Sequence, residues 1–294
     1  MTNRKPFLAA MSLFLSATLF SCTGPLAPEM PETTDIVVRS AKPTRAAPKP
    51  LVVFHDHFET DKNWGIFEEI VGGSSCYGDG IGEVARTQDL ARNGRHSLRV
   101  WANKANSHKS NHVLANNQLS TSGQTGIYRY EMQAYIAPET ASSGQTGPEF
   151  SMQNTRQITP GQYRTSIAGI QYIANPYMPR MWQIWSEIDQ APGQATWHVL
   201  LEDQPLQPGT WYSLALEVNF DTNRYVRFWL RGPDVNLSID LSAYRIAPET
   251  KFSEEAFWLT LESENLWNNC GAAGAFHYKV YYDKIKLRKS SRSR

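Results

Sequence analysis

Two stretches of this 294-residue sequence carry carboxylates in a setting where they could move protons. In Pro148-Glu149-Phe150-Ser151-Met152-Gln153-Asn154-Thr155-Arg156 the residues alternate, so Phe150 and Met152 turn one way while Glu149, Ser151 and Gln153 turn the other. Phe257-Trp258-Leu259-Thr260-Leu261-Glu262 repeats the pattern with Trp258, Thr260 and Glu262 on its polar side, and Glu264, Asn265 and Trp267 follow. Two strands that each present a carboxylate beside amides and an indole supply what cleavage of a glycosidic bond needs. One carboxyl gives a proton and the other attacks or activates water. Glu149 and Glu262 are therefore the candidate catalytic pair, with Gln153 beside them, and their separation would decide the stereochemical outcome. A second chemistry stays open: removal of the proton beside a uronic-acid carboxylate, which needs a neutralising amide, Arg or metal and a Tyr or His base. A face that only binds a glycan would use the same residues. Seven histidines with no close His-x-His spacing give no signature of catalytic zinc.

The segment from Gln171 to Trp185 is rich in rings around Pro176 and Pro179. A proline-bearing loop stays ordered only if packed, so these rings either clamp it or line a cleft. Trp182, Trp185 and Trp258 are the candidates for stacking on sugar rings, with Tyr172 a further candidate contact. Nine tryptophans and thirteen tyrosines exceed what a core of this size requires, unless the core itself is built from them.

The elements that must position these groups show a period of two. Tyr128, Tyr130, Met132, Ala134 and Ile136 share one side of a run, opposite Arg129, Glu131, Gln133 and Tyr135. Tyr212, Leu214, Leu216, Val218 and Phe220 do the same, and the short polar Asp221-Thr222-Asn223 links them to Val226, Phe228 and Leu230 as a hairpin. Similar runs occur at 97–101, 150–155, 166–173, 197–202, 257–262 and 276–287, and none has a sustained helical period. The expectation is an all-β antiparallel sandwich or barrel spanning 51–288.

The chain's start reads as an export signal over 1–22: Arg4 and Lys5, an apolar run from Phe7 to Phe20, then Ser21-Cys22. That run is too short to span a bilayer. Leu19-Phe20-Ser21-Cys22 resembles the lipobox of bacterial lipoproteins, which implies lipidation at Cys22 and a place in the cell envelope, although Phe20 stands where a smaller residue is usual. Residues 23–50 hold six prolines and little large apolar surface, so they read as an extended tether, and 289–294 as a disordered tail. The remaining two cysteines, Cys76 and Cys270, read as a disulfide in an oxidising compartment, with two free thiols as the alternative. A net charge of +1 with mixed signs gives no footprint for nucleic acid, and the membrane is expected to be met only through the lipid.

Several stretches resemble the concanavalin-A-like lectin and glucanase superfamily, which includes some polysaccharide lyases. They are Phe54-His55-Asp56-His57-Phe58-Glu59 with Trp64, Asn93-Gly94-Arg95-His96-Ser97-Leu98-Arg99-Val100, Pro208-Gly209-Thr210-Trp211-Tyr212, and Tyr281-Tyr282-Asp283-Lys284-Ile285. The resemblance implies a jelly roll whose concave sheet holds a polysaccharide. It also implies a structural calcium at Glu59 and Asp283, with carbonyls near His57 and Asn93 as further oxygens. Apolar parity jumps after Asp283, which predicts a kink there. Tyr128-Arg129-Tyr130-Glu131 with 149–153 is similar to the paired strands of heparin-lyase-type enzymes, implying that Arg129 and Glu131 contact substrate. The histidine expected just after the glutamine is absent, since Asn154 and Thr155 stand there, leaving Tyr172, Tyr177, His198 or His277 as the base.

Overall fold

In the computed structural model this alternation becomes sixteen strands, numbered in chain order. The structure describes residues 50–62, 64–69, 81–104, 111–138, 145–174, 180–188, 191–249, 253–265 and 276–290, and no helix occurs among them. Cys22, Cys76, Cys270 and the segment 1–49 lie outside the described residues, as do Tyr177 and Trp267.

The strands form two sheets in which every pairing is antiparallel. One sheet runs, in spatial order, β13 (Asn236–Asp240), β12 (Arg224–Arg231), β11 (Trp211–Asn219), β6 (Ile127–Ile136), β16 (Phe276–Lys289), β4 (Ser97–Lys104) and β3 (Ile81–Thr87), with β1 (Leu51–Asp56) also pairing β16. The other runs β10 (Ala191–Glu202), β9 (Met181–Ile188), β8 (Gln162–Ala174), β7 (Gln145–Thr159), β15 (Ala256–Asn265), β5 (Asn111–Ser120) and β2 (Gly65–Glu69), with β14 (Ala247–Glu249) also pairing β8. This is an antiparallel jelly-roll sandwich. The last strand continues through Lys289, one residue past the expected end of the domain.

The core lies where the inner rows meet. Tyr130, Met132 and Leu216 of the first sheet bury against the second sheet's Phe150, Met152, Leu259 and Leu261. Each such side chain taken from water stabilises the fold by roughly 1.5–3 kcal/mol. The hairpin turn at 221–223 is present, with Asn223 at φ +50°. The kink after Asp283 is present too: the β16–β6 register shifts between Asp283 and Lys286, and Lys284 adopts φ +52°.

Many of the surplus aromatics serve this interior. Tyr130, Tyr225, Tyr278 and Tyr282 all stand on the first sheet and reach across the core to backbone atoms of the second. The Tyr130 hydroxyl donates to Thr260 O (3.3 Å), that of Tyr225 to Trp185 O (2.5 Å), that of Tyr282 to Glu262 O (2.5 Å), and that of Tyr278 to Gly147 O. Burial pushes all four phenols above their ordinary range, so they stay protonated and able to donate.

Two expected sugar contacts fall in the same interior. Trp182 is fully buried, packed on Tyr172 at 5.3 Å and on Phe228 at 5.0 Å between ring centroids. Tyr172 is buried as well, and its hydroxyl accepts the Leu206 N–H at 3.0 Å. Residues 171–174 and 181–185 of the aromatic segment belong to β8 and β9, where alternation sends these two rings inward, while its proline-bearing stretch 175–179 lies outside the described residues. Neither can touch an external ligand.

Glu59 and Asp283 converge on one turn. Glu59 Oε1 accepts the N–H groups of Arg95 (2.7 Å) and His96 (3.1 Å), and Oε2 pairs with His96 Nδ1 (3.1 Å). Asp283 Oδ2 accepts from Arg92 N and Asn93 N, both at 2.9 Å, and Oδ1 from Lys284 N at 2.6 Å. Glu59 Oε2 and Asp283 Oδ1 each keep a lone pair, so these bonds do not bar an oxygen-seeking ion. The carboxylates close the 92–96 turn, in which Gly94 has φ +78° and a Cβ would lie 2.3 Å from Glu59 Oε1.

One consequence is measurable. The Arg95 N–H, followed by the His96 side chain, lowers the Glu59 pKa to about 2 from the usual carboxylate value. Because the folded-state value is depressed, the stabilisation is fully present above the ordinary carboxylate pKa and fades as pH falls through about 2. Melting temperature followed over this acid range should drop more steeply for the wild type than for Glu59→Gln. Parallel curves would show that the charge does not hold the turn.

Candidate active site

The outward face of the second sheet gathers the polar residues. Phe150 and Met152 point inward, so Glu149, Ser151 and Gln153 of β7 point out; Leu259 and Leu261 likewise leave Trp258, Thr260 and Glu262 of β15 outside. Register then sets partners side by side: Glu149 opposite Glu262, Ser151 opposite Thr260, and Gln153 opposite Trp258. On the far side of β15, β5 sets Leu114 opposite Glu262 and His112 opposite Glu264. Glu149, Glu262 and Glu264 are 7%, 4% and 6% exposed, so this outward face is recessed rather than open.

The Glu149–Glu262 pair continues the register of Ser151–Thr260 and Gln153–Trp258, and a bulge follows directly after it. Between Glu149↔Glu262 and Thr146↔Glu264, β7 advances three residues while β15 advances two. The extra residue falls at Gly147-Pro148. Gly147 has φ +137°, and a Cβ there would come within 3.0 Å of the Tyr278 ring, so only glycine suits the position. Beneath the bulge the Tyr282 hydroxyl accepts the Glu149 N–H at 3.2 Å and lies 2.5 Å from Glu262 O, tying the backbones of both candidate residues to one atom.

The side chains form one network. Glu262 Oε2 pairs with His112 Nε2 at 2.6 Å, and Glu262 Oε1 accepts from the Thr260 hydroxyl at 2.5 Å. Thr260 has spent its one proton, so Ser151 donates to it at 2.6 Å. Burial opposes a charge on His112, but Glu264 and then the hydrogen bond to and charge of Glu262 raise its pKa to about 10. The imidazole is therefore cationic at neutral pH. Burial, and then the charge of Glu262, push Glu149 well above the usual carboxylate range, with His112 opposing, which favours its protonated form.

Ligand atoms of His112, Glu149 and Glu262 all lie within 4.8 Å of one another, the only such group among the described residues that could hold a metal. The 2.6 Å contact between His112 and Glu262 is that of a charge-assisted hydrogen bond. Two ligands of one zinc ion stand roughly 3 Å apart or more, given metal bonds of about 2.0–2.1 Å. The arrangement is an ion pair beside a second buried carboxyl group.

The expected residues thus divide. Glu149, Glu262, Gln153 and Trp258 share this face. Trp185 stands on it too, two strands from Glu149, with its ring 5.3 Å from Trp197 in a T-shaped contact. Arg129 and Glu131 do not: they lie on β6, on the outer face of the opposite sheet, where Arg129 pairs with Glu131 at 2.9 Å and covers Trp229 at 3.9 Å. The sandwich core separates them from Glu262. His198 does not reach the carboxylates either; it pairs with Ile184 of β9 in register and packs on Tyr244 at 6.0 Å, while the His277 side chain is outside what is described. The histidine of the site is His112, on a strand the sequence reading passed over. Its signal was faint: Val113 and Ala115 alternate with His112, Leu114 and Asn116, but small and amide residues mute the pattern.

No protein-family model and no curated protein matches the sequence. Solved structures resemble the chain by shape. One is the endo-β-1,4-glucuronan lyase of the fungus Trichoderma reesei, at a TM-score of 0.49 and 11% identity, covering 83% of this chain and 98% of that one. Another is the PL-14 alginate lyase of Aplysia kurodai, at 0.49 and 8%, covering 81% and 99%.

Proposed function

We propose that this protein is a polysaccharide hydrolase of the concanavalin-A-like type, cleaving glycosidic bonds with retention at Glu149 and Glu262. The reading rests on one observation: the two residues are cross-strand partners with carboxyl oxygens within 4.8 Å. Retaining enzymes hold their carboxyls roughly 5–5.5 Å apart, whereas inverting ones need about 6.5–9.5 Å to admit a water.

Environment assigns the roles. Glu149 keeps a proton and gives it to the departing glycosidic oxygen while Glu262, oriented by His112 and Thr260, attacks the anomeric carbon. In the second half Glu149, now ionised, takes a proton from water as that water attacks the same carbon and Glu262 leaves.

The local charge favours a neutral sugar over a uronate at the point of cleavage. His112 contributes one positive charge among three glutamates, of which burial favours the protonated form of Glu149. A substrate carboxylate would meet repulsion with no free guanidinium on this face to meet it, among the described residues. The four tyrosines beneath the sheet face inward and offer no base for elimination.

The test is digestion of neutral and uronic-acid polysaccharides, read by new reducing ends, by ultraviolet absorbance of unsaturated ends, and by proton NMR of the first-formed anomer. New reducing ends with retained configuration on a neutral glycan are expected. Unsaturated products or inversion would overturn the assignment, and binding with no product would return the protein to the non-catalytic module. Location belongs to the same proposal: the charged start, apolar run and Cys22 support export and lipid anchoring in the cell envelope, with Cys76 and Cys270 free to pair there.

A further inference from the structure

A second concave site lies at one end of the sandwich, between β8 and the β11–β12 turn. It is a cleft of about 510 Å³ lined by Arg164, Arg224, Arg245, Glu187, Thr222 and Asn223 among others. Arg164 is seven residues along β8 from Gln171, the cross-strand partner of Glu149, which at 3.3 Å per residue is roughly 23 Å from the carboxylate pair. The two sites do not overlap.

Three arginines and one glutamate line it. Glu187 is already engaged, since its Oε1 accepts the Gly193 N–H at 2.8 Å. Arg224 gives one N–H to Ser242 O at 3.0 Å, and neither Arg164 nor Arg245 has an ion-pair partner among the described residues. The backbone beneath is fixed: Arg224 and Arg245 form a β-bridge, Ile246 N–H donates to Asn223 O at 2.9 Å, and the Ser186 hydroxyl donates to Arg245 O at 2.8 Å. Like charges gathered on a rigid frame repel one another unless a counter-charge joins them, and planar guanidiniums match the two-oxygen edge of a sulfate, phosphate or carboxylate.

We infer that this cleft is an oxyanion site, taking a sulfate, phosphate or carboxylate group either free or carried on an acidic glycan. It stands whether or not the groove hydrolyses sugar. Inorganic sulfate, inorganic phosphate, dextran sulfate, polygalacturonate and neutral dextran are titrated into the full chain by calorimetry at constant ionic strength, because sulfate also stabilises proteins non-specifically. Saturable binding of sulfate or phosphate is expected, weakened at least fivefold in Arg164→Ala and in Arg245→Ala and strengthened in Glu187→Gln. Binding of the charged polymers but not of the inorganic ions would support the site and assign it to a glycan; binding of both would support the shared chemistry. Arg164 is exposed, so its variant tests the site even if Arg245→Ala fails to fold. Absence of saturable binding by every anion, or equal affinity in wild type and Arg164→Ala, would overturn the inference.

Discussion

Glu262→Gln should lower turnover on polysaccharide by about a thousandfold or more while leaving affinity for the chain within a few-fold. The amide keeps the shape and still accepts from Thr260, but it cannot attack the anomeric carbon, and His112 loses its charged partner. Glu149→Gln should also fall on polysaccharide, by about 10²–10⁴-fold, because the departing oxygen is no longer protonated. Its loss should shrink on aryl glycosides whose leaving group needs no proton. That contrast separates acid from nucleophile, since Glu262→Gln should be inactive on both substrates. Were both variants equally impaired on the activated substrate, the division of roles would be wrong; were both fully active, the site would be elsewhere.

Trp182→Ala should destabilise the fold by about 3–5 kcal/mol, read as a lower denaturant midpoint. The indole is fully buried between Tyr172 and Phe228, so its removal leaves a void that neighbouring strands cannot close. Trp182→Phe should cost far less, because the Trp182 Nε1 has no hydrogen-bond partner in its buried place and phenylalanine removes that donor. Trp185→Ala, on the outward face, should do the reverse: stability nearly kept, and glycan affinity reduced about tenfold by loss of a flat apolar surface. A Trp182→Ala protein of normal stability that had lost sugar binding would contradict the inward placement.

These two tryptophans show what a linear reading could and could not settle. They are three residues apart, and only the phase of β9 distinguishes them. Phase was legible where large apolar residues alternate with polar ones, as in β6, β7, β11 and β15, and there the outward placement of Glu149 and Glu262 followed directly. It was not legible in Gln171 to Trp185, where rings fall on both parities and the prolines suggested a loop. Arg129 and Glu131 failed for another reason: alternation says which side of its own sheet a residue takes, but not which sheet the strand joins. The kink after Asp283 was readable because a bulge shifts parity along one chain. The bulge at Gly147, just beyond the carboxylate pair, depends on counting residues across two strands far apart in sequence. His112 escaped for the same cause, since its meeting with Glu262 spans 150 residues.

The tyrosines that cross the core have a consequence for how such a protein can diversify. The backbone beneath Glu149, Thr260, Glu262 and Trp185 is moored from the interior side, by phenols rooted in the opposite layer. Segments rimming the outer face therefore carry little of the burden of holding the acid pair in place. They are free to lengthen, shorten or change composition, and so to retune which polymer is admitted, without disturbing the geometry that would break it.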